Sequence, residues 1–247
     1  MWDGGRSFVS YKQASKEDII EIRDFYQQKK IPLRLIFTNP VITEKDLHNN
    51  FCNLIASLCE DENNEIVINS PILEEYIRKT YPKYKIISST TKCLTNTQEV
   101  NNELNKDYYM TCLDYNLNHN QTFLESIPKE LRPKVEFLIN AICPAGCPNR
   151  KEHYRLNGFF HLNFCKNYHI TCGIKEGTLD FDSIQKRNNI TPDEIYNQYV
   201  KKGFSNFKIE GRTLSNLELL LNIAKYMVKP NYQLQFILSI YQKLYPE

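Results

Sequence analysis

The sequence predicts an α/β protein of the TIM-barrel-like (β/α)8 type, irregular or incomplete. Three observations predict it. Short apolar runs alternate with segments whose apolar residues recur at helical spacing, the signature of a parallel sheet with crossover helices. The strand candidates approach eight in number. Polar residues collect just beyond the strand candidates, where such folds place their sites. An open doubly wound sheet is the competing arrangement. No repeat or linker divides the chain, so 1–247 reads as one domain with an irregular Cys-rich insertion at about 141–177.

The elements follow in order. The start looks like a clipped βα unit, because a Gly-rich loop comes first. Ser15 caps a helix over Lys16 to Lys29 with Ile19, Ile22 and Phe25 or Tyr26 on its apolar face. Leu33 to Phe37 is a strand, and Asp46 to Cys59 a helix carrying Leu47, Phe51, Leu54, Ile55 and Leu58 on one side. Strand Glu65 to Asn69 precedes helix Ile72 to Thr80. Strand Tyr84 to Ser88 precedes a polar helix, Thr97 to Leu104. Strand Tyr108 to Leu113 precedes a helix from Gln121 that ends before Pro128, and Lys134 to Ile139 is the next strand. Residues 141 to 177 show no clean period. Order returns at Thr191-Pro192-Asp193-Glu194, an N-cap, a first-turn proline and a capping-box acid. That helix ends near Gly203. Strand 206–210 and the closing helices, the first over Leu214 to Met227, complete the chain.

Composition excludes several classes. The 247 residues are 41% hydrophobic and 24% charged with a net charge of +2, so no strong nucleic-acid field is expected from the total. Lys29-Lys30, Arg150-Lys151 and Lys201-Lys202 read as solvated faces. No apolar run approaches the roughly 20 residues of a membrane helix. Met1 is followed by Trp2-Asp3-Gly4-Gly5-Arg6 rather than a secretory leader. A cytoplasmic protein with reduced cysteines is the expectation. No P-loop, GxGxxG, HExxH or GxSxG motif is present.

The polar strand ends are Thr38-Asn39, Asn69-Ser70, Ser88 to Lys92, Asp114-Tyr115-Asn116 with Asn118, Asn140, and Glu210 with Arg212. Asn39, Asn69, Asp114, Asn116 and Asn140 are the candidate substrate-binding residues. Glu136, Glu210 and Arg212 are the candidate catalytic ones. Glu136 falls inside a strand, so it must be paired or face a barrel interior or cleft. In Glu210-Gly211-Arg212 the glycine permits a tight turn and the arginine can grip a carboxylate or phosphate. Cys143, Cys147, Cys165 and Cys172, with His153, His161 and His169 in the same stretch, are candidate ligands of an iron–sulfur cluster or zinc. A catalytic thiol at Cys143 or Cys147 and inert cysteines are the alternatives. Cys52, Cys59, Cys93 and Cys112 read as structural.

Two of these segments resemble the collagenase-like peptidases of family U32. Tyr199 to Arg212, ending Phe207-Lys208-Ile209-Glu210-Gly211-Arg212, is similar to that family's signature strand. Val135-Glu136-Phe137-Leu138-Ile139-Asn140-Ala141-Ile142-Cys143 is similar to a second segment, with Asn140 where the family carries His. After Cys143 the chain reads Pro144-Ala145-Gly146-Cys147, not the family's Ser-Gly-x-Cys. The resemblance covers about residues 130–230. It implies a TIM-barrel-like fold and either peptidase activity or hydroxylation of RNA or ubiquinone, several such members holding a [4Fe-4S] cluster on four cysteines. The leading expectation is an iron–sulfur or metal-dependent enzyme modifying RNA or a small aromatic metabolite. A peptidase or other hydrolase, and a non-catalytic binding subunit with a protein partner, are the alternatives.

Overall fold

In a computed structural model, residues 1–5, 14–165, 188–211 and 214–244 are described. The chain divides into two compact units, Met1–Asp114 with Cys147–Thr178, and Tyr115–Gly146 with Leu179–Glu247.

The first unit carries four parallel strands in chain order: β1 (Arg34–Phe37), β2 (Glu65–Ile68), β3 (Lys85–Ser88) and β4 (Met110–Cys112). Leu35, Ile66 and Ile86 stand in register, as do Ile36, Val67, Ile87 and Met110. Side chains alternate across a strand, so these two rows occupy opposite faces. The first row joins Trp2, Phe37, Ile68, Leu73 and Ile77 in the main core. The second row, Ile36, Val67, Ile87 and Met110, forms a small apolar layer of its own.

Helices α1 (Lys16–Gln28), α2 (Asn50–Leu58), α3 (Pro71–Thr80) and α4 (Thr97–Leu104) follow the expected pattern, each with a side-chain N-cap. Trp2 is fully buried. Its ring packs edge-on against Phe37 and Tyr76, and its indole N–H donates to the Asp46 carbonyl at 2.7 Å.

The second unit pairs β5 (Val135–Leu138) with β6 (Asn206–Lys208), again parallel. Phe137, Tyr199, Phe204 and Phe207 form its aromatic core; Phe137 and Phe207 stack at 5.9 Å. Around them lie α5 (Gln121–Ser126), α7 (Pro192–Glu194, continued by a π-helical turn Ile195–Tyr199), α8 (Asn216–Met227) and α9 (Gln233–Leu244).

The strand count agrees with the irregular or incomplete form of the barrel, since six strands rather than a full eight occur among the described residues. Several expectations are corrected. The helix expected over Asp46 to Cys59 is a 3-10 turn, Glu44–His48, then α2, because Asn49 leaves helical geometry to cap the second piece through the Cys52 N–H. The stretch 141–177 contains a 13-residue helix, α6 (Arg150–Leu162). Its buried positions are Arg150, Asn157, Gly158 and His161, which have helical spacing but no apolar signal. Gly211 is not in the left-handed region; a Cβ there would come within 2.7 Å of Leu219 Cδ1, the end of a flexible side chain.

Candidate functional site

In the first unit the face bearing Ile36, Val67, Ile87 and Met110 continues, by alternation, into Thr38, Asn69, Ser89 and Asp114 at the carboxyl ends of the strands. Asn69 donates to the Thr91 hydroxyl at 2.8 Å, and Ser89 shares a hydrogen bond with that hydroxyl at 2.9 Å. Asp114 receives the Arg150 guanidinium at 2.6 Å, both side chains almost fully buried. Arg150 also donates to the Thr90 carbonyl and hydroxyl and lies over the Tyr154 ring. Arg150, read from sequence as a solvated cation, is thus an interior one supplied by α6. Hydrophobic periodicity could not have found it, because the buried stripe of α6 is polar. Cys93 holds a left-handed backbone, φ 54°, at the end of the same loop. Burial pushes its thiol up, opposed by the nearby Arg150 charge.

Asn39, expected from sequence to bind substrate, is fully buried. Its amide donates to the carbonyls of Met1, Asp3 and Gly158 and its oxygen accepts from the Val41 N–H. These bonds occupy both ends of the side chain, and they tie the N-terminus and α6 to the end of β1.

In the second unit, Phe207 stacks on Phe137, so Glu136 on β5 and Lys208 on β6 fall on the opposite face. Glu136 is buried and Lys208 half-buried. Just beyond, the Asn140 amide accepts from the Glu210 N–H at 2.6 Å and donates to the Glu210 carbonyl at 2.9 Å. It acts as one more rung of the β5–β6 ladder, after the Ile139 N–H to Lys208 carbonyl bond. Asn222 of α8 also accepts from it. The Glu210 carboxylate accepts the Ile142 N–H at 3.2 Å. Asn116 accepts from the N–H of Gly146, whose φ of 65° lies in the left-handed region that favours glycine. Lys208 was not singled out in sequence, although strict alternation between Phe207 and Ile209 placed it on the face of Glu210.

Arg212 and Cys172 lie outside the described residues. Cys143 is exposed and belongs to the second unit; Cys147 and Cys165 belong to the first and are half-buried. Cys52, Cys59 and Cys112 are buried, in line with a structural part. Among the described residues no three His, Cys, Asp or Glu side chains converge as a metal-holding group. Among them, too, no helix is long and apolar enough to cross a membrane.

A cavity of about 520 Å³ lies elsewhere in the first unit, at the amino ends of β1 and β2 between Arg23, Lys30, Leu58 and Asp61. The strand carboxyl ends, with their buried polar groups, are the better candidate on chemistry. Beside Ser89, Thr90 and Asp114 only about 10 Å³ is open, room for one water.

No family model and no curated protein sequence matches the chain. One solved structure does, that of the U32 peptidase Mk0906. It aligns with a TM-score of 0.51 over 74% of this chain and 78% of its own, at 11% identity. The likeness shows a shared U32-like α/β fold.

Proposed function

We propose that this chain is a U32 peptidase-like enzyme that takes a polar substrate at the carboxyl ends of its strands, with β5 and β6 carrying the reacting groups. The observation behind this reading is the Asn140 clamp, which holds Glu210 by both backbone polar groups and leaves its carboxylate at the strand end. One carboxylate oxygen rests on the Ile142 N–H. The other can accept a proton from an attacking water. The Lys208 ammonium, on the face shared with Glu136, can hold the charge that develops on a carbonyl oxygen. Arg212, outside the described residues, adds a second cation in this reading. A degenerate peptide library incubated with the purified chain tests it. Cleavage is expected to fall by about 10²–10⁴-fold in Glu210→Gln, the usual worth of a general base, and to survive Cys143→Ser. Equal cleavage by wild type and Glu210→Gln would overturn the assignment.

A second reading keeps the cysteines. Cys143, Cys147, Cys165 and Cys172 would hold a [4Fe-4S] cluster or zinc, and the substrate would be RNA or a small aromatic metabolite. Its support is the exposed Cys143 next to Ile142, the residue whose N–H engages Glu210. Iron, sulfide and zinc are measured after anaerobic purification, beside the Cys143→Ser, Cys147→Ser double variant. Stoichiometric metal lost in the variant favours this reading, and metal-free protein with peptide cleavage favours the first.

A further inference from the structure

Helix α9 (Gln233–Leu244) has seven apolar residues among twelve and a single charge, Lys243. None of its residues from Gln233 to Lys243 is buried. By contrast α1, also rich in solvent-facing residues, carries six charges in 13. A helix apolar on more than one side ordinarily has neighbours on more than one side. Within the second unit α9 packs on α8. Half-buried Phe236, Ile237 and Ile240 alternate with an outward stripe of Leu234, Leu238 and Tyr241, which are 69%, 52% and 45% exposed. On α8, Leu217 and Leu221 are exposed as well.

We propose that the α8–α9 hairpin is the interface of a two-fold dimer, its occupant a second copy of this chain. The charge pattern argues for a second copy over other partners. Residues near a two-fold axis meet their own copies, so a charge there meets a like charge. The outward stripe of α9 is flanked by Gln235, Ser239 and Gln242 and has no charge before Lys243. Helix α8 carries one acid and one base, Glu218 and Lys225, on either side of Leu221. In an antiparallel two-fold pairing of this helix, each Glu218 comes toward the Lys225 of the other copy. The hairpin carries Lys225, Lys229 and Lys243 against Glu218, a small basic excess that offers little to a strongly acidic partner and nothing to a basic one. An anionic lipid surface finds three dispersed lysines on the hairpin, fewer than the roughly four to eight clustered basic residues of an electrostatic anchor.

Sedimentation velocity of the full chain across micromolar concentrations tests the proposal. The expected species has twice the 29.2 kDa chain mass. The Leu234→Glu, Leu238→Glu double variant, altered only at exposed positions, is expected to sediment as a monomer with unchanged far-UV circular dichroism. Lys225→Glu, which sets acid against acid, is expected to weaken the dimer roughly threefold, the scale of an exposed ion pair. A monomeric wild type overturns the proposal. So does a dimer that survives the double variant, or a monomer that instead floats with phosphatidylcholine vesicles.

Discussion

The amide of Asn39 holds carbonyls from Met1, Asp3 and Gly158, so a side chain with substrate-binding chemistry is spent on joining three stretches of chain. The join is tight. A Cβ on Gly158 would fall 2.3 Å from Asn39 Oδ1 and 3.0 Å from Pro40 Cδ. Gly158→Ala is therefore expected to destabilise by about 2 kcal/mol, despite the better helix propensity of alanine, since overpacking costs more than the propensity gains. A denaturant midpoint no lower than wild type would refute this. The Asp114–Arg150 pair makes a sharper case. Asp114→Ala leaves a buried guanidinium without its carboxylate and is expected to cost about 3–5 kcal/mol. Chemical denaturation reads that loss directly. Asn140→Ala removes the clamp on Glu210 and is expected to cost about 1–3 kcal/mol, besides lowering any activity of that carboxylate. Sequence showed that these residues were polar and stood at strand ends. Whether each faces a ligand or a neighbouring carbonyl depends on partners as far away in the chain as Gly158 is from Asn39.

Among elements, α4 shows how a polar helix becomes part of an interior. Its Glu103 is buried on the side of β3 that carries Ser88, and it accepts from Ser88, Lys92 and Lys106, each at 2.5 Å. Burial alone would push its carboxyl up. The hydrogen bonds from Lys106, Lys92 and Ser88 outweigh burial and hold it at about 2. A carboxyl depressed on folding contributes stability that is complete above its unfolded value, 4.5, and is lost as pH falls toward about 2. Stability measured across that window is expected to fall less steeply in Glu103→Gln than in wild type, and parallel curves would exclude the carboxyl as the cause. Periodicity located α4 to the residue, and the capping box of α7 was legible as Thr191 and Glu194. Thr191→Ala is expected to cost about 1 kcal/mol by thermal or chemical melting. Helix α6 was illegible because its buried stripe is Arg150, Asn157, Gly158 and His161, and hydrophobic periodicity cannot register a polar stripe.

For the whole chain, the order of strands and helices and the α/β class follow from the sequence, because alternation of period 2 and recurrence of period 3.6 are local properties of the backbone. All six observed strands fall inside segments that this alternation marked. The six strands among the described residues fit the irregular or incomplete barrel expected and not a full eight-stranded one. The distant likeness to the U32 peptidase Mk0906 agrees with the fold and, at 11% identity, leaves the chemistry to this chain's own residues. The sequence by itself determined the elements, their order, the caps and the polar character of the strand ends. Only the tertiary structure decided that Asn39 is a tie, that Arg150 is buried against Asp114, that Lys208 shares a face with Glu136 and that Asn140 grips Glu210. The physical reason is range: caps and periods are set by neighbours three or four residues apart, whereas burial and hydrogen-bond partners are set by packing across 36 to 119 residues of chain.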